Sequence, residues 1–560
     1  MTTDMSLIPD DTEQTIEDKQ AETNASVAGA TGILALGNIL SRVLGLVREK
    51  ALAYFFGAGV ATDAYLAAII IPKTFYDLLI GGHVNGAIVP VLSDINTTQG
   101  RKEMWNVVNI LVTVMLMFVS AIVLIMMLFA PFFVSLVGGG YGAYTQELAT
   151  TLLRITSPAL IFLSLFAIFS GTLYAINNFT LPALAGAVFN ACIVLSIMFL
   201  SPALQAMPGN DPIGGIIVAR PAAGVTAAAI GWFIGAAVQM ALQLPGLKLT
   251  RIRLRFDWRH PALRSIALLY APVMFSLLLD ALVIRFFSYN LASRTGIVGG
   301  FAYINYATTL IQFPQGLVAT AISIAILPTL ATQAALGKDE NITSFRDTLG
   351  LGLRLATTLI IPATIGLFVL ANPIVQLLFE GGEFKAIDTI ITSQALRFYL
   401  FGLPFAAIDL LLVYAFYARK DTLTPALVGV FSHIVYIITV LLLFDTFSLY
   451  SLMIADSVKH IAHALISGIL LSRRMDGFGK QNLISNALKT LFAAGVMGVV
   501  AWWLLPILTA WIGVSGAFQL AIVVLLVTST AGSIFFVLAA FLRIEELYWI
   551  VRLVRKRLGS

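Results

Sequence analysis

Fourteen long apolar stretches, parted by short polar breaks, limit what this chain can fold into more than any other feature. They cover about 27–56, 62–93, 104–137, 145–176, 180–203, 222–245, 261–291, 297–335, 345–379, 387–418, 423–446, 449–474, 483–508 and 514–543. A helix needs roughly 20 mainly apolar residues to cross the hydrocarbon core of a bilayer, and every stretch reaches that length. Of the 560 residues, 59% are hydrophobic and only 11% are charged, against roughly 25% charged in a soluble domain. So little polar surface cannot face water on all sides, and lipid must be the main solvent. The expected fold class is an all-α polytopic membrane protein of about 14 transmembrane helices.

An even number of spans puts both termini on one side. With both in the cytoplasm, eighteen loop lysines and arginines fall on the cytoplasmic side, including Arg101, Lys102, Arg419, Lys420, Arg473 and Arg474. Only Arg220, Arg294 and Lys385 fall opposite. That asymmetry obeys the positive-inside rule. Residues 1–26 hold Asp4, Asp10, Asp11, Glu13, Glu17, Asp18 and Glu22 against Lys19 alone, which predicts a disordered cytoplasmic tail. Residues 544–560 predict a basic one. Between Lys248 and His260, basic and apolar residues alternate. That segment either lies on the inner leaflet with its arginines near anionic headgroups or is a solvated loop. The single cysteine, Cys192, excludes a disulfide framework.

The chain repeats itself. Ala64-Tyr65 and Ala87-Ile88-Val89-Pro90 recur as Ala302-Tyr303 and Ala325-Ile326-Leu327-Pro328, both offset by 238 residues. Leu153-Arg154, Tyr174-Ala175 and Pro182-Ala183-Leu184 recur as Leu396-Arg397, Tyr417-Ala418 and Pro425-Ala426-Leu427, offset by 243. The offset spans six helices, an even number, so the two copies run parallel. The expected organisation is an N-lobe of six helices over 27–245, a basic amphipathic linker over 246–260, a C-lobe of six helices over 261–474, and two further helices over 475–543. Two such lobes can enclose a cavity and rock against each other.

Ionisable residues inside spans are costly, by roughly 2.5–3.5 kcal/mol on insertion scales, and they usually line a cavity or meet a partner. The first stretch carries Arg42, Arg48, Glu49 and Lys50; the second carries Asp63, Lys73, Asp77 and His83; the seventh carries Asp280 and Arg285. One explanation is a cationic cavity for an anionic headgroup, because a guanidinium binds phosphate in a planar fork and stays charged. The other is a set of interhelical ion pairs, which is favoured for the repeat-related Arg154 and Arg397. Asp456, Lys459, His460 and His463 share one helix face, more simply an Asp–Lys pair with polar neighbours than a metal site. Pro72, Gly81-Gly82, Pro90, Pro314 and Gly316 mark breaks that serve as hinges or as plain kinks. No phosphate-binding Gly-Lys loop and no Gly-x-Ser-x-Gly elbow occurs, so neither ATP hydrolysis nor other enzymatic activity is expected.

The stretch Ser41-Arg42-Val43-Leu44-Gly45-Leu46-Val47-Arg48-Glu49, followed by Phe56-Gly57-Ala58-Gly59 and Ala61-Thr62-Asp63-Ala64, resembles the helix 1–2 signature of the MurJ/MviN family. Phe313-Pro314-x-Gly316, Leu378-Phe379-Glu380-x-Gly382-x-Phe384 and Phe416-Tyr417-Ala418-Arg419-Lys420-Asp421 resemble its later motifs, and the likeness runs from about 30 to 475. The family lies in the multidrug/oligosaccharidyl-lipid/polysaccharide exporter superfamily. The resemblance implies a flippase that moves lipid II, the undecaprenyl-diphosphate-linked peptidoglycan precursor, across the bacterial cytoplasmic membrane by alternating access. It also implies a groove for the lipid tail formed by the last two helices.

Carried over residue by residue, the resemblance places substrate-binding roles on Arg42, Arg48, Asp63 and Glu49. Lys73 and Arg285 join them from the charge pattern. Arg42 and Arg48 are expected to hold the diphosphate, and Asp63 to pair with an arginine and gate the cavity. Asp77, Asp280, Pro314 and Gly316 are candidates for gating or ion coupling. The chain departs from the family where Tyr76, Ile284, Thr308 and Thr309 replace charged residues. No cofactor or metal is expected, and a monovalent cation or the membrane potential would drive transport. Expected partners are lipid II or a related polyprenyl-diphosphate glycan, membrane lipids and the cell-wall synthesis machinery, with no nucleic acid. Three alternatives stay open from sequence: a flippase for another polyprenyl-linked glycan such as an O-antigen or exopolysaccharide unit, a cation-coupled drug exporter, and a non-transporting cell-wall scaffold.

Overall fold

The computed structural model describes residues 11–546, apart from residue 80, 206–211, 214–215, 218–219, 248–252, 269–277, 279–280, 336–338, 476 and 515. Nearly all of it is helix. In chain order the helices are α1 (Asp11–Phe56), α2 (Val60–Leu79), α3 (Gly81–Thr98), α4 (Arg101–Leu128), α5 (Ala130–Gly138), α6 (Ala143–Thr156), α7 (Ala159–Ala175), α8 (Thr180–Gln205) and α9 (Arg220–Ala241). There follow α10 (Ser288–Ser293), α11 (Gly300–Pro314), α12 (Ala321–Ala335), α13 (Asp339–Val369), α14 (Ala371–Phe379), α15 (Ala386–Leu400) and α16 (Leu403–Ala418). The last four are α17 (Leu423–Phe447), α18 (Tyr450–Arg473), α19 (Leu483–Ile512) and α20 (Ala517–Phe541). The only strands among the described residues are a two-residue antiparallel pair, Pro212–Ile213 with Ile216–Ile217.

Nine helical segments among the described residues are long and apolar enough to span a bilayer, and two bent pairs, α6–α7 and α15–α16, raise the number to eleven. The chain is thus a polytopic membrane protein, but fourteen spans are not reached by this measure. The shortfall has local causes. The first stretch, in α1, is rich in charge, the second is split between α2 and α3, and the seventh lies partly outside the described residues. Residues 11–26, expected to be disordered, instead extend α1. Glu, Gln, Lys and Ala are good helix formers, and lengthening an existing helix needs no new nucleus.

The repeat is visible in the breaks. The α4–α5 join at Phe129 and the α13–α14 join at Leu370 are kinks in matching helices, as are the α6–α7 and α15–α16 bends of 41° and 44°. At the first pair of joins the helix loses carbonyl partners. Arg154 Nε donates to Met127 O at 3.4 Å, and its repeat mate Arg397 Nε donates to Phe368 O at 3.2 Å. A cation at a helix C-terminus also meets the negative end of the dipole, so both arginines serve the fold. Two π-helical turns, Ala281–Phe287 before α10 and Gln315–Thr320 after Pro314, interrupt the C-lobe. Shifted by 238, the second falls on 77–82, where α2 gives way to α3.

Burial shows how the lobes meet. At one end a single apolar core joins Leu52, Phe56, Ala64 and Tyr65 of the N-lobe to Phe301, Tyr306, Phe379 and Phe384 of the C-lobe. At the other end there are two separate cores. One centres on Ile88, Leu92, Met104 and Ile168 in the N-lobe, the other on Leu330, Leu349, Leu411 and Phe416 in the C-lobe. The lobes are therefore fused at one end and parted at the other. The α19–α20 hairpin packs on α13 and α14 through its own core, around Leu370, Ala494, Met497 and Val527. The linker residues 253–257 lie along α4: Arg253 N–H donates to Asn109 Oδ1 at 3.2 Å and Arg255 N–H to Thr113 Oγ1 at 2.8 Å. Leu254, Phe256 and Trp258 point outward and exposed.

Candidate functional site

The fused end is sealed by backbone meeting backbone. Gly57, Gly299 and Gly382 all have positive φ, and a Cβ on any of them would strike the opposite lobe's main chain, at Glu383, Ala58 and Tyr54 respectively. Glycine alone meets both demands. Glu383 N–H donates to Tyr54 O at 2.9 Å, and Tyr306 Oη donates to Gly57 O at 3.3 Å. Asp63, in the first turn of α2 and only 1% exposed, crosses to the start of α11. It accepts hydrogen bonds from Gly299 N–H at 2.8 Å, Ala302 N–H at 3.1 Å and Tyr141 Oη at 2.9 Å. One lobe thus supplies the capping carboxylate for a helix of the other, since the first N–H groups of any helix lack intrahelical partners.

Farther from the seal, a band of charge lines the facing sides of the lobes. Arg48 donates to Glu49 Oε1 at 2.5 Å and to Asn190 Oδ1 at 2.9 Å. Glu49, 3% exposed, also accepts from Asn305 Nδ2 of the other lobe at 2.6 Å. Arg285, in the first π-helical turn, pairs with Asp77 across the lobes and reaches Thr74 Oγ1 at 3.4 Å. Lys73 is exposed and makes no hydrogen bond or ion pair among the described residues; the charges acting on it are those of Asp77, Arg285, Arg48 and Glu49. Arg42 donates one hydrogen bond, from Nη1 to Gln312 O at 3.1 Å in α11, and is otherwise open. Its guanidinium lies where a Cβ of Gly316 would be, so the glycine makes room for it. Four cations against two carboxylates leave this band at +2, with Arg42 and Lys73 uncommitted to any carboxylate.

Several sequence expectations change. Asp63 pairs with no arginine; it is sealed under the gate rather than open to the cleft, because three donors converge on it where the backbones touch. Arg48 and Glu49 are coupled to each other and to two asparagines, which leaves Arg48 only partly exposed at 24%. Asp77 and Arg285, expected in separate roles, form one interlobe pair. Pro314 ends α11, and the π-helical turn starts directly after it. Asp280 lies outside the described residues. Thr308 and Thr309, at positions where the family carries charge, turn their hydroxyls back onto Ile304 O and Asn305 O of their own helix. Tyr76 and Ile284 are half-buried.

Asn190, Asn305, Tyr141 and the Gln312 carbonyl were not singled out from sequence. The asparagines could have been: each is an amide inside an apolar span, where a polar side chain needs a partner. The carbonyl and the Gly299 cap carry no mark at the residue level. Within the C-lobe, Lys459 Nζ donates to Asp456 Oδ1 at 2.6 Å, as the spacing on one face anticipates, and His463 meets Asp409 of α16. No set of three His, Cys, Asp or Glu among the described residues is arranged to hold a metal ion.

The family described as "Lipid II flippase MurJ" matches residues 52–522. The chain belongs to that family. It is 29% identical over 495 residues to the probable lipid II flippase MurJ of Haemophilus influenzae, covering 84% of this chain and 92% of that one. It is 30% identical over 402 residues to the lipid II flippase MurJ of Burkholderia cenocepacia, covering 70% and 73%. Among solved structures it is similar to a lipid II flippase MurJ in an inward closed conformation, with a TM-score of 0.74, 23% identity, and 91% and 99% of the two chains covered. An inward-facing multidrug resistance MATE family transporter of the MOP superfamily shares the fold at a TM-score of 0.62 and 15% identity, covering 79% and 96%. MurJ membership and the parted lobes agree on a transporter architecture.

Proposed function

We propose that this chain is a lipid II flippase of the bacterial cytoplasmic membrane, and that Arg42 and Lys73 hold the diphosphate of the lipid-linked precursor in the cleft. The carrying observation is the net positive band between the lobes, in which these two cations are committed to no carboxylate. Phosphate is best met by such charge-assisted donors in a site of reduced dielectric. Arg48 and Arg285 add field and can exchange their carboxylates for phosphate when substrate enters. Family membership supplies the substrate class.

The seal faces outward and the parted end faces the cytoplasm. Supporting this orientation, Arg101, Lys102, Arg419, Lys420, Arg473 and Arg474 all cluster at the end away from the seal. Both termini are then cytoplasmic. Flipping requires the seal contacts of Asp63, Tyr306 and Glu383 to break while the parted end closes. A monovalent cation or the membrane potential drives the cycle without a cofactor, and the cell-wall synthesis machinery is the expected protein partner. A cationic cleft disfavours the drug-exporter alternative, because cationic drugs need an acidic site. The missing family charges at Tyr76, Ile284, Thr308 and Thr309 favour one second reading, a polyprenyl-diphosphate carrying a different glycan. The deciding experiment is complementation of a strain depleted of its lipid II flippase. Growth with the wild-type chain and failure with Arg42→Ala supports the assignment; no growth with a well-expressed wild-type chain refutes it.

A further inference from the structure

We infer that the polar cavity at the junction of the α19–α20 hairpin and α13 is a binding site for the headgroup of an anionic phospholipid. The cavity has a volume of about 410 Å³ and lies between the start of α19, the end of α20 and the first half of α13. All three place it at the membrane face away from the seal, where headgroups lie.

Its charges are unequally used. Arg354 is fully engaged, from Nε to Glu546 Oε1 at 2.5 Å and from Nη1 to Gln481 O at 2.7 Å. Asp347 accepts from Gln481 Nε2 at 2.8 Å. Lys489 and Arg543 also line the cavity, and neither makes a side-chain hydrogen bond or ion pair among the described residues. The exposed Glu545 is the one lining carboxylate with no such contact either. Two free cations thus stand beside the N-terminal end of a 30-residue helix, whose dipole adds positive potential.

The second observation concerns the flank. Ile484, Leu488, Leu491 and Phe492 are all more than half exposed and form one stripe along α19. Ser485 and Lys489, four apart on the same helix, line the cavity. The hairpin therefore offers two cations to a head, Lys489 from α19 and Arg543 from just past α20, with the apolar ridge of α19 beside them for acyl chains. A soluble anion would use only the first; a phospholipid uses both. Bound there, it would bridge the hairpin to the C-lobe beside the Arg354–Glu546 pair.

The test is native mass spectrometry of the purified full chain titrated with phosphatidylglycerol or phosphatidylcholine. The wild type is expected to retain phosphatidylglycerol in preference. Lys489→Gln with Arg543→Gln should weaken that binding about 30-fold, the equivalent of about 2 kcal/mol for two headgroup-facing cations, and leave phosphatidylcholine unchanged. The control pair Lys420→Gln with Arg473→Gln, exposed at the same face, should bind phosphatidylglycerol like the wild type. Equal binding of both lipids by the wild type, or undiminished phosphatidylglycerol binding by the double variant, overturns the site. Thermal stabilisation by inorganic phosphate matching that by phosphatidylglycerol would overturn the lipid as its occupant. A melting midpoint for each variant close to the wild type excludes loss through misfolding.

Discussion

Replacing Asp63 tests the gate directly. In the sealed state its carboxylate takes three hydrogen bonds, two from buried N–H groups at the start of α11 and one from Tyr141. A hydrogen bond to a charged group contributes roughly 1.5–3 kcal/mol, and a buried donor left without a partner costs about 1–3 kcal/mol. The three share one acceptor and do not add, so about 3–5 kcal/mol is a fair range for Asp63→Ala. When the lobes part at the seal, water can satisfy the same donors, so the cost falls on the sealed state alone. At 1.4 kcal/mol per tenfold, the open-to-sealed ratio should rise by about a hundredfold to several thousandfold. Asp63→Asn keeps one acceptor oxygen but turns an amide N–H₂ toward a donor, and a shift of about tenfold to a hundredfold is expected. The assay is the labelling rate of Ala61→Cys by a membrane-impermeant maleimide in a Cys192→Ser background. Ala61 is only 5% exposed and sits half a turn from Asp63, so labelling reports opening of the seal. If Asp63→Ala labels no faster than its parent while melting normally, the cap across the lobes is not what holds the gate.

Three further outcomes follow from other contacts. Gly316→Ala puts a methyl group where the Arg42 guanidinium lies; loss of the bond to Gln312 O should slow reconstituted flipping about tenfold, the worth of one charged hydrogen bond. Arg354→Ala leaves the buried Glu546 without its cation, which typically costs about 3–5 kcal/mol, so its melting midpoint should fall below that of the Arg354→Ala/Glu546→Ala double variant. At the α16–α17 loop, burial works to raise the Asp421 carboxyl, but donation from Thr424 and Arg474 outweighs it and holds the group at about 2. Its folded value is depressed, so its stabilisation is present above the unfolded carboxylate value of about 3.9 and is lost as pH falls through about 2. Melting curves at pH 5 and near pH 2 should therefore show a larger acid loss in the wild type than in Asp421→Asn.

Sequence alone went far with this chain because lipid punishes irregularity. Apolar stretches long enough to span a bilayer can only be helices there, and the repeat reappears as matched kinks at Phe129 and Leu370, whose spacing lies between its two sequence offsets. Arg154 and Arg397 do make matching contacts, but to backbone carbonyls rather than in the interhelical ion pairs expected of them. The charge band was also legible, since Arg42, Lys73, Asp77 and Arg285 stand out against their apolar neighbours. What stayed hidden was pairing. Asp77 with Arg285, and Glu49 with Asn305, are separated by more than 200 residues, and no local pattern encodes which cation meets which anion. Asp63 shows the same gap from the other side: its partners are mostly backbone N–H groups, which every residue but proline carries. The span count faltered where charge or a split interrupted the apolar run.

The shared aromatic cluster at the fused end has a calorimetric consequence. Tyr65, Phe301, Tyr306, Phe379 and Phe384 are each buried to within a few per cent, and any state that separates the lobes there must wet part of that surface. Hydrating apolar area raises heat capacity, so the equilibrium between the two shapes should bend with temperature as an unfolding curve does. Cooling weakens apolar attraction. A cell growing in the cold would therefore find this gate easier to part than one growing warm, with no change in any residue.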